Sequence, residues 1–269
     1  MIRHLLLITC IIVICGCSRN AVTGRNQFKL FSDTEVQTMA ASEYKQFLTA
    51  NKVVSAAASK DAEMVRRVGG RLTAAITAYY TSQGKANVLN GYQWEYNLVD
   101  SKEANAWCMP GGKIVVYTGL LPITQNEAAL AVVMGHEITH ALAQHGNERM
   151  SMGLAQQLGN VALSVALANK PAETQNMFMS AYGVGSQVGV MLPFSRKDEY
   201  EADKFGLNFA AMAGYNPQEA IPLWERMQKA AGDGKPPEFL STHPAEGNRI
   251  ARLKEQMPEA LTFYKPMGR

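Results

Sequence analysis

The sequence predicts a mainly helical α+β fold in which a small β-sheet lies beside one apolar helix. Helix-capping patterns and apolar residues at helical spacing occur in the first third of the chain and again after residue 124, whereas three short strand patterns are grouped between residues 92 and 117. A hydrophobic content of 47% and a charged content of 18% are typical of a globular protein with a core. The net charge is only +3 and the sequence contains no block of basic residues, so we expect no nucleic-acid partner.

The N-terminus has the pattern of a secretory signal. An apolar run from Leu5 to Cys15 is shorter than the roughly 20 residues that span a bilayer, and it ends in the letters ICGC. That ending is similar to a bacterial lipobox, in which cleavage precedes a Cys and the thiol is lipidated. We therefore expect a signal peptide over residues 1–16 and a lipid on Cys17; an uncleaved anchor helix or a plain signal peptide is the alternative. By resemblance to sorted lipoproteins, Ser18 in place of an acidic residue after the Cys favours the outer membrane.

The residues after this signal are expected to form a tether and then one domain. Residues 17–31 are polar and contain a Gly, which is typical of a surface segment that links a lipid to a folded unit. Residues 32–269 are expected to form that unit. With Cys17 lipidated, Cys108 is the remaining thiol of the mature chain, so we expect no disulfide. We expect Cys108 itself to be a small, buried hydrophobic residue.

Two helices are predicted before the sheet. A capping box at Ser32–Glu35 begins the first, which should extend to about residue 50. Apolar residues at helical spacing predict the second over Lys60–Tyr80.

The strand patterns follow directly. Alternating aromatic residues predict a half-buried strand over 92–98, and two shorter strands are predicted over 105–109 and 114–117. The Pro110–Gly112 turn joins the last two.

The rest of the chain is predicted to be helical. A capping box at Thr124–Glu127 should begin the helix that contains the segment VVMGHEITHALAQH, and residues 151–192 suggest a helical hairpin, not a membrane span. Ser195–Asp198 should cap a helix that extends to about Ala213. Two prolines lie where the first helical position would be: Pro217 and Pro244.

The apolar helix carries a metal-site pattern. His136 and His140 are four residues apart, so their imidazoles lie on one helix face and can bind one ion together. Glu137 lies about 100° round the helix, within reach of a water beside that ion. This is the HExxH pattern of zincins, with Glu137 as general base. The alternative is a pair of core histidines that are satisfied by hydrogen bonds.

A third ligand must come from elsewhere in the chain. Glu199 and Asp203 lie on one face of the predicted helix, which suits a ligating carboxylate and a second carboxylate that orients a ligating His. Glu201 is the rival ligand, but its side chain points about 200° away from that of Glu199. His145 would lie on the opposite face from His136 on a straight helix. We therefore expect His145 to be a structural or surface residue and not a ligand.

His243 and Arg249 form the last candidate pair. Near a metal they could hold a substrate carbonyl or stabilise an oxyanion. The alternative is that His243 belongs to a helix cap and that Arg249 is a surface residue.

Taken together, the motifs resemble those of the gluzincin peptidase family that includes the CAAX prenyl protease and HtpX, and most closely its soluble periplasmic lipoprotein members similar to BepA. The matching residues are HExxH at His136–His140, ExxAD at Glu199–Asp203, and His243 with Arg249. The segment Ala21–Arg25 is also similar to lipoprotein members.

The resemblance implies a zincin-type metalloprotease domain with one zinc ion, bound by His136, His140 and Glu199. It implies that His243 and Arg249 contact substrate or transition state, and that His243 can occupy the open position of the metal as a latch. It also implies that substrate backbone binds along the strand before the HExxH helix, which here contains Asn105, Ala106 and Trp107.

The function expected from the sequence is therefore that of a zinc metalloendopeptidase of the bacterial periplasm. We expect it to hydrolyse unfolded or misassembled envelope proteins and to be held at the outer membrane through Cys17, with envelope assembly proteins as further partners. The alternative is a lipid-anchored chaperone or assembly factor that binds clients with little turnover.

Overall fold

The computed structural model describes residues 17–157, 181, 194–232, 237–243 and 248–266. The predicted signal peptide, most of the predicted hairpin over 151–192, and Pro244 lie outside the described residues. Within them, no helix combines the length and the apolar character required to cross a bilayer. The helices are α1 (Asp33–Ala50), α2 (Lys60–Ser82), α3 (Leu121–Thr124), α4 (Glu127–Leu142), α5 (His145–Gln157), α6 (Arg196–Met212), α7 (Ala220–Ala231), α8 (Glu238–Thr242) and α9 (Arg249–Phe263).

The strands form two sheets. A short antiparallel hairpin pairs β1 (Cys17–Arg19) with β2 (Asn26–Phe28). The main sheet has the strand order β3-β4-β6-β5, with β3 at Val53–Val54, β4 at Glu95–Val99, β5 at Ala106–Met109 and β6 at Lys113–Tyr117. Strands β4 and β6 are parallel and the other two pairs are antiparallel, so β5 lies at one edge of the described sheet.

Helices cover both faces of the main sheet. Leu98, Cys108 and Ile114 point to one face, where they pack in a core with α2 and α4. Trp107 and Val115 point to the other face, where they pack with side chains of α1. Burial on both sides explains why β5 and β6 are buried at every position. The sheet thus holds α4 against β5 at its edge.

Most of the predicted elements are confirmed. The capping boxes at Ser32 and Ser195 are both formed, the helix from Ser195 ends at Met212, and Pro217 is the first residue of a 3-10 turn. Gly111 and Gly112 have φ of 80° and 84°, which explains two glycines at the β5–β6 turn.

The predicted start of the HExxH helix is wrong by two residues. Thr124 ends the short helix α3, and Gln125 takes a left-handed conformation with φ of 64°. The side chain of Asn126 then caps α4 by accepting a hydrogen bond from Ala129 N. Strand β3 was not predicted, because two residues are too few to show an alternating pattern.

The N-terminal segment makes buried contacts with the domain. The side chains of Asn20 and Gln27 are buried, and they donate hydrogen bonds to the carbonyls of Leu142 and Ala143 at the end of α4. The segment therefore satisfies carbonyls that a helix C-terminus leaves without partners.

Helices α4 and α6 meet at two glycines. A Cβ built on Gly135 would lie 2.8 Å from the carbonyl oxygen of Gly206, and a Cβ built on Gly206 would lie 2.7 Å from the backbone nitrogen of His136. Both obstructing atoms belong to backbone and cannot rotate away. The absence of side chains at these positions lets the HExxH helix lie directly against the helix of Glu199 and Asp203.

Replacing Gly135 with Ala is expected to destabilise the protein by about 1–3 kcal/mol or more, because the new methyl group must separate the two helices. The matched control is Gly70→Ala in α2, where a Cβ would meet no atom within 4 Å. That change should stabilise the protein by about 0.5–1 kcal/mol through helix propensity. Urea unfolding of both variants measures the difference, and equal stabilities would contradict the close packing.

Candidate metal centre

Four buried side chains from three parts of the chain converge on one point. His136 and His140 come from α4, Glu199 from the first turn of α6, and His243 from the residue after α8. One ligand atom of each lies within 4.8 Å of all the others. The structure therefore brings together the three predicted ligands and places His243 among them.

The spacing of these atoms suits zinc. The Nε2 atoms of His136 and His140 are 3.0 Å apart, and His136 Nε2 is 3.2 Å from His243 Nδ1. Glu199 Oε1 lies 3.4 Å from His140 Nε2 and 2.9 Å from His243 Nδ1. A tetrahedral zinc site with bonds of roughly 2.0–2.1 Å separates its ligand atoms by about 3.3–3.4 Å. Imidazole nitrogen and carboxylate oxygen are both zinc ligands, so the donor set fits this metal.

Electrostatics keep the donors in the forms that bind a cation. Burial opposes ionisation of Glu199, but His243, Arg249 and His136 outweigh it and hold the pKa of the Glu199 carboxyl well below its usual value. Burial also holds the pKa of His140 well below its usual value, so its imidazole is neutral. A neutral imidazole and an ionised carboxylate are the ligating forms.

Glu137 lies beside the cluster and not in it. Its Oε1 is 3.5 Å from His243 Nε2 and has no hydrogen-bond partner among the described residues. Burial raises the pKa of the Glu137 carboxyl to about 8. A cation at the four-residue cluster would favour the ionised form of this carboxylate, which a general base at neutral pH requires.

Asp203 and Arg249 form an ion pair behind the ligands. Asp203 Oδ1 lies 3.0 Å from His136 Nδ1 and accepts a hydrogen bond of 2.7 Å from Arg249 Nη2. Arg249 Nη1 lies 3.0 Å from Glu199 Oε2, and the guanidinium stacks 3.6 Å above the Trp224 ring. This geometry matches the orienting role predicted for Asp203. Arg249 contacts the carboxylates of Glu199 and Asp203. These contacts fit a residue that positions the ligands better than one that contacts substrate.

His145 lies closer to the centre than a straight helix would allow. Gln144 has φ of 58°, which ends α4 and lets α5 begin in a new direction at His145. The imidazole is fully buried, and its Nδ1 lies 3.0 Å from Nδ1 of His140. The expectation that it is not a ligand of the four-residue cluster agrees with the geometry, but its placement on the far face is wrong.

Glu201 faces a different set of partners from Glu199. Its Oε2 lies 2.9 Å from His145 Nε2, and its carboxylate is paired with Arg25. The rival ligand is therefore turned away from the four-residue cluster, as the helical spacing predicted.

The predicted substrate strand is the edge strand β5. The Asn105 carbonyl accepts a hydrogen bond from Tyr117 N and so faces β6. By the alternation of an antiparallel ladder, the backbone groups of Ala106 and Cys108 face away from β6. The Trp107 ring packs 4.9 Å from the ring of Phe47 of α1, on the other side of the sheet. Its indole is thus a core group, and Ala106 is also buried, with its N–H donating a hydrogen bond of 2.9 Å to Asn105 Oδ1.

Comparison with known proteins supplies the family. The model of peptidase family M48 matches residues 71–257, which is more than half of the chain. Mitochondrial metalloendopeptidase OMA1 of Schizosaccharomyces pombe is 36% identical over 173 residues, 64% of this chain and 49% of that protein. The human metalloendopeptidase OMA1 is 31% identical over 255 residues, 92% of this chain and 46% of that protein.

A bacterial relative matches as well. The beta-barrel assembly-enhancing protease of Escherichia coli K12 is 28% identical over 193 residues, 67% of this chain and 39% of that protein. The chain spans about half or less of the length of each of these three relatives.

Proposed function

Because this chain belongs to peptidase family M48, we propose that it is a zinc-dependent endopeptidase that hydrolyses unfolded or misassembled proteins of the bacterial cell envelope. The observation that carries the proposal is the convergence of His136, His140 and Glu199 on one point. Beside it lies a carboxylate oxygen of Glu137 that has no hydrogen-bond partner in the part of the chain that the structure describes. Two imidazoles, a carboxylate and an adjacent carboxylate base are the parts that metal-assisted hydrolysis needs.

Each residue has a role in this proposal. Zinc in such a site supplies Lewis-acid activation of water and of the scissile carbonyl. Glu137 takes the proton of the attacking water and passes it to the leaving amine. Asp203 holds His136 in the tautomer whose Nε2 lone pair faces the centre, and Arg249 fixes Asp203 and Glu199 in place.

Substrate is proposed to bind as an added strand. Among the described strands β5 pairs only with β6, so an extended peptide could add at its other edge. The Ala106 N–H already donates to Asn105 Oδ1, which leaves the Ala106 carbonyl and the backbone groups of Cys108 for this pairing. Such a contact uses hydrogen bonds to the substrate backbone and not to its side chains. It therefore suits unfolded substrates that have no sequence in common.

The envelope location is supported by the sequence. The apolar run before Cys17 and its lipobox-like end favour a lipid anchor at Cys17, and the resemblance of Ser18 to sorted lipoproteins favours the outer membrane. A relative in Escherichia coli is named for β-barrel assembly. We therefore include envelope assembly proteins among the proposed partners.

A binding protein with little turnover is the second candidate, because His243 lies within the ligand cluster. Its ring stacks between Phe239 and Phe194, with ring centroids 4.5 Å and 5.1 Å away. A fourth protein ligand at this position would compete with water for the metal and hold the enzyme in a resting state. His243 would then have to leave the metal before hydrolysis. Once displaced, its side chain would be free to contact substrate.

Digestion of an unfolded protein tests the proposal. Casein should be cleaved by the zinc-loaded protein, cleavage should stop when 1,10-phenanthroline removes the metal, and added zinc should restore it. Chelator-insensitive cleavage would argue against a metallopeptidase. Absence of cleavage by the wild-type protein, together with cleavage by His243→Ala, would favour a latched enzyme over the binding protein.

A further inference from the structure

A buried ion cluster lies on the far side of His140 from the metal centre. The guanidinium of Arg25 contacts three carboxylates: Nε is 2.9 Å from Glu201 Oε1, Nη2 is 2.9 Å from Asp198 Oδ1, and Nη1 is 2.7 Å from Glu148 Oε1. The Arg25 side chain is only 11% exposed, although it belongs to the N-terminal segment. Burial opposes its charge, yet the hydrogen bonds to Glu148 and Glu201 raise the pKa of Arg25 above its ordinary value. This guanidinium is therefore a permanent cation within the domain.

The cluster continues to the predicted ligand through one histidine. His145 Nε2 lies 2.9 Å from Glu201 Oε2, and His145 Nδ1 lies 3.0 Å from His140 Nδ1. If His140 binds metal through Nε2, its proton must be on Nδ1 and must be donated to His145 Nδ1. His145 then carries its own proton on Nε2 and donates it to the Glu201 carboxylate. One set of tautomers thus satisfies every hydrogen bond in the series.

The two ligating histidines are therefore oriented by different means. His136 is held directly by the Asp203 carboxylate, whereas His140 is held by Glu201 through the His145 ring. Metal-binding histidines usually need such a partner on the second ring nitrogen, and its loss typically weakens metal binding by about 10–100-fold. The partner of Asp203 is Arg249, and the corresponding partner of Glu201 is Arg25.

A second metal ion does not account for this cluster. His145, Asp198 and Glu201 have ligand-type atoms close enough for one ion, but Arg25 already contacts both carboxylates. A divalent cation in the same place would meet an adjacent positive charge and would have to displace it.

We propose that Arg25 is a positioning residue for the zinc ligand His140, acting through Glu201 and His145. The inference rests on the proposed zinc site. It gives the N-terminal segment a part in the metal centre: the cation that it brings fixes the Glu201 carboxylate, which sets the tautomer and the orientation of the ring that His140 contacts.

The test is the zinc dissociation constant of the purified chain, measured by competition with a chromophoric chelator at pH 7.5. We expect Arg25→Ala to weaken zinc binding by about 10–100-fold, and Arg25→Lys, which keeps the charge without the planar fork, to recover part of the loss. The absorption bands of the Co²⁺-substituted protein should shift in Arg25→Ala, because the His140 ring turns. The matched control is Arg19→Ala, since Arg19 is exposed and donates to the carbonyl of Gly24 in the same segment.

A double-variant cycle separates positioning from general stability. If Arg25 acts through Glu201, Arg25→Ala should weaken zinc binding less when Glu201→Gln is already present. Additive effects, or a wild-type zinc dissociation constant in Arg25→Ala, would overturn the inference. If Arg25→Ala does not fold, Glu201→Gln and His145→Gln test the same series, and unchanged zinc binding and Co²⁺ spectra in both would overturn it. Failure of the wild-type chain to bind zinc would instead overturn the proposed function, and the inference with it.

Discussion

Replacing Glu137 with Gln is expected to lower kcat/KM for peptide hydrolysis by about 10²–10⁴-fold while zinc content stays at that of the wild type. The amide keeps the size and the buried position of the side chain but cannot take a proton from water. Because Glu137 is not among the four converging ligand residues, the metal should bind as before. Glutamine also removes the need to bury an ionised group, so we expect no loss of stability.

The measurement is cleavage of a quenched fluorescent peptide by zinc-loaded protein, with zinc content determined on the same sample. Glu127→Gln is the matched control, because Glu127 lies in the first turn of the same helix and pairs with Arg67 on the surface. Cleavage by Glu137→Gln at the wild-type rate would show that another group is the base. Loss of zinc from this variant would place Glu137 among the ligands.

Replacing Glu199 with Ala is expected to reduce bound zinc from about one ion per chain toward none, with loss of hydrolysis. The change removes the carboxylate oxygen that lies 3.4 Å from His140 Nε2, so only His136, His140 and His243 would remain near the metal. It also removes one of the two carboxylates that neutralise the buried Arg249. We therefore expect some loss of stability as well, which Glu199→Gln should lessen.

Metal content of purified Glu199→Ala and Glu201→Ala decides between the two carboxylates. Glu201→Ala should retain about one zinc ion per chain, because a loss of 10–100-fold in affinity is only about 1.4–2.8 kcal/mol of a zinc-binding free energy of roughly 10–16 kcal/mol. The reverse result, zinc retained in Glu199→Ala and absent from Glu201→Ala, would contradict the ligand assignment. Circular dichroism of both variants checks that each is folded.

Local sequence rules were sufficient where one helix or strand determines the geometry. The interval between His136 and His140 fixes a shared face on any α-helix, and the capping box at Ser195 sets where α6 begins, hence which way Glu199 and Asp203 point. Glu201, two residues from Glu199, had to face elsewhere for the same reason. The alternation over residues 92–98 located β4 because Tyr96 and Leu98, two residues apart, point to the same core.

The remaining features depend on contacts between distant segments. The position of His145 follows from the left-handed Gln144, and no residue pattern at this point indicated that the helix would end there. Arg25 meets Glu201 across 176 residues of sequence, and an Arg in a polar segment gives no sign that its charge is buried. The sequence contained one indication of the close helix contact, the glycine directly before His136. That glycine indicates a contact only when Gly206 is known to lie opposite it.

The burial of Arg25 has a practical consequence for anyone who shortens this chain. A fragment that starts at α1 would keep HExxH, Glu199 and His243 and would look complete by motif. It would nevertheless leave Glu148, Asp198 and Glu201 as neighbouring anions without their guanidinium. By the proposed role of Arg25, the zinc affinity measured on such a fragment would be lower than that of the longer chain, for a reason that lies in the cloning boundary and not in the metal ligands.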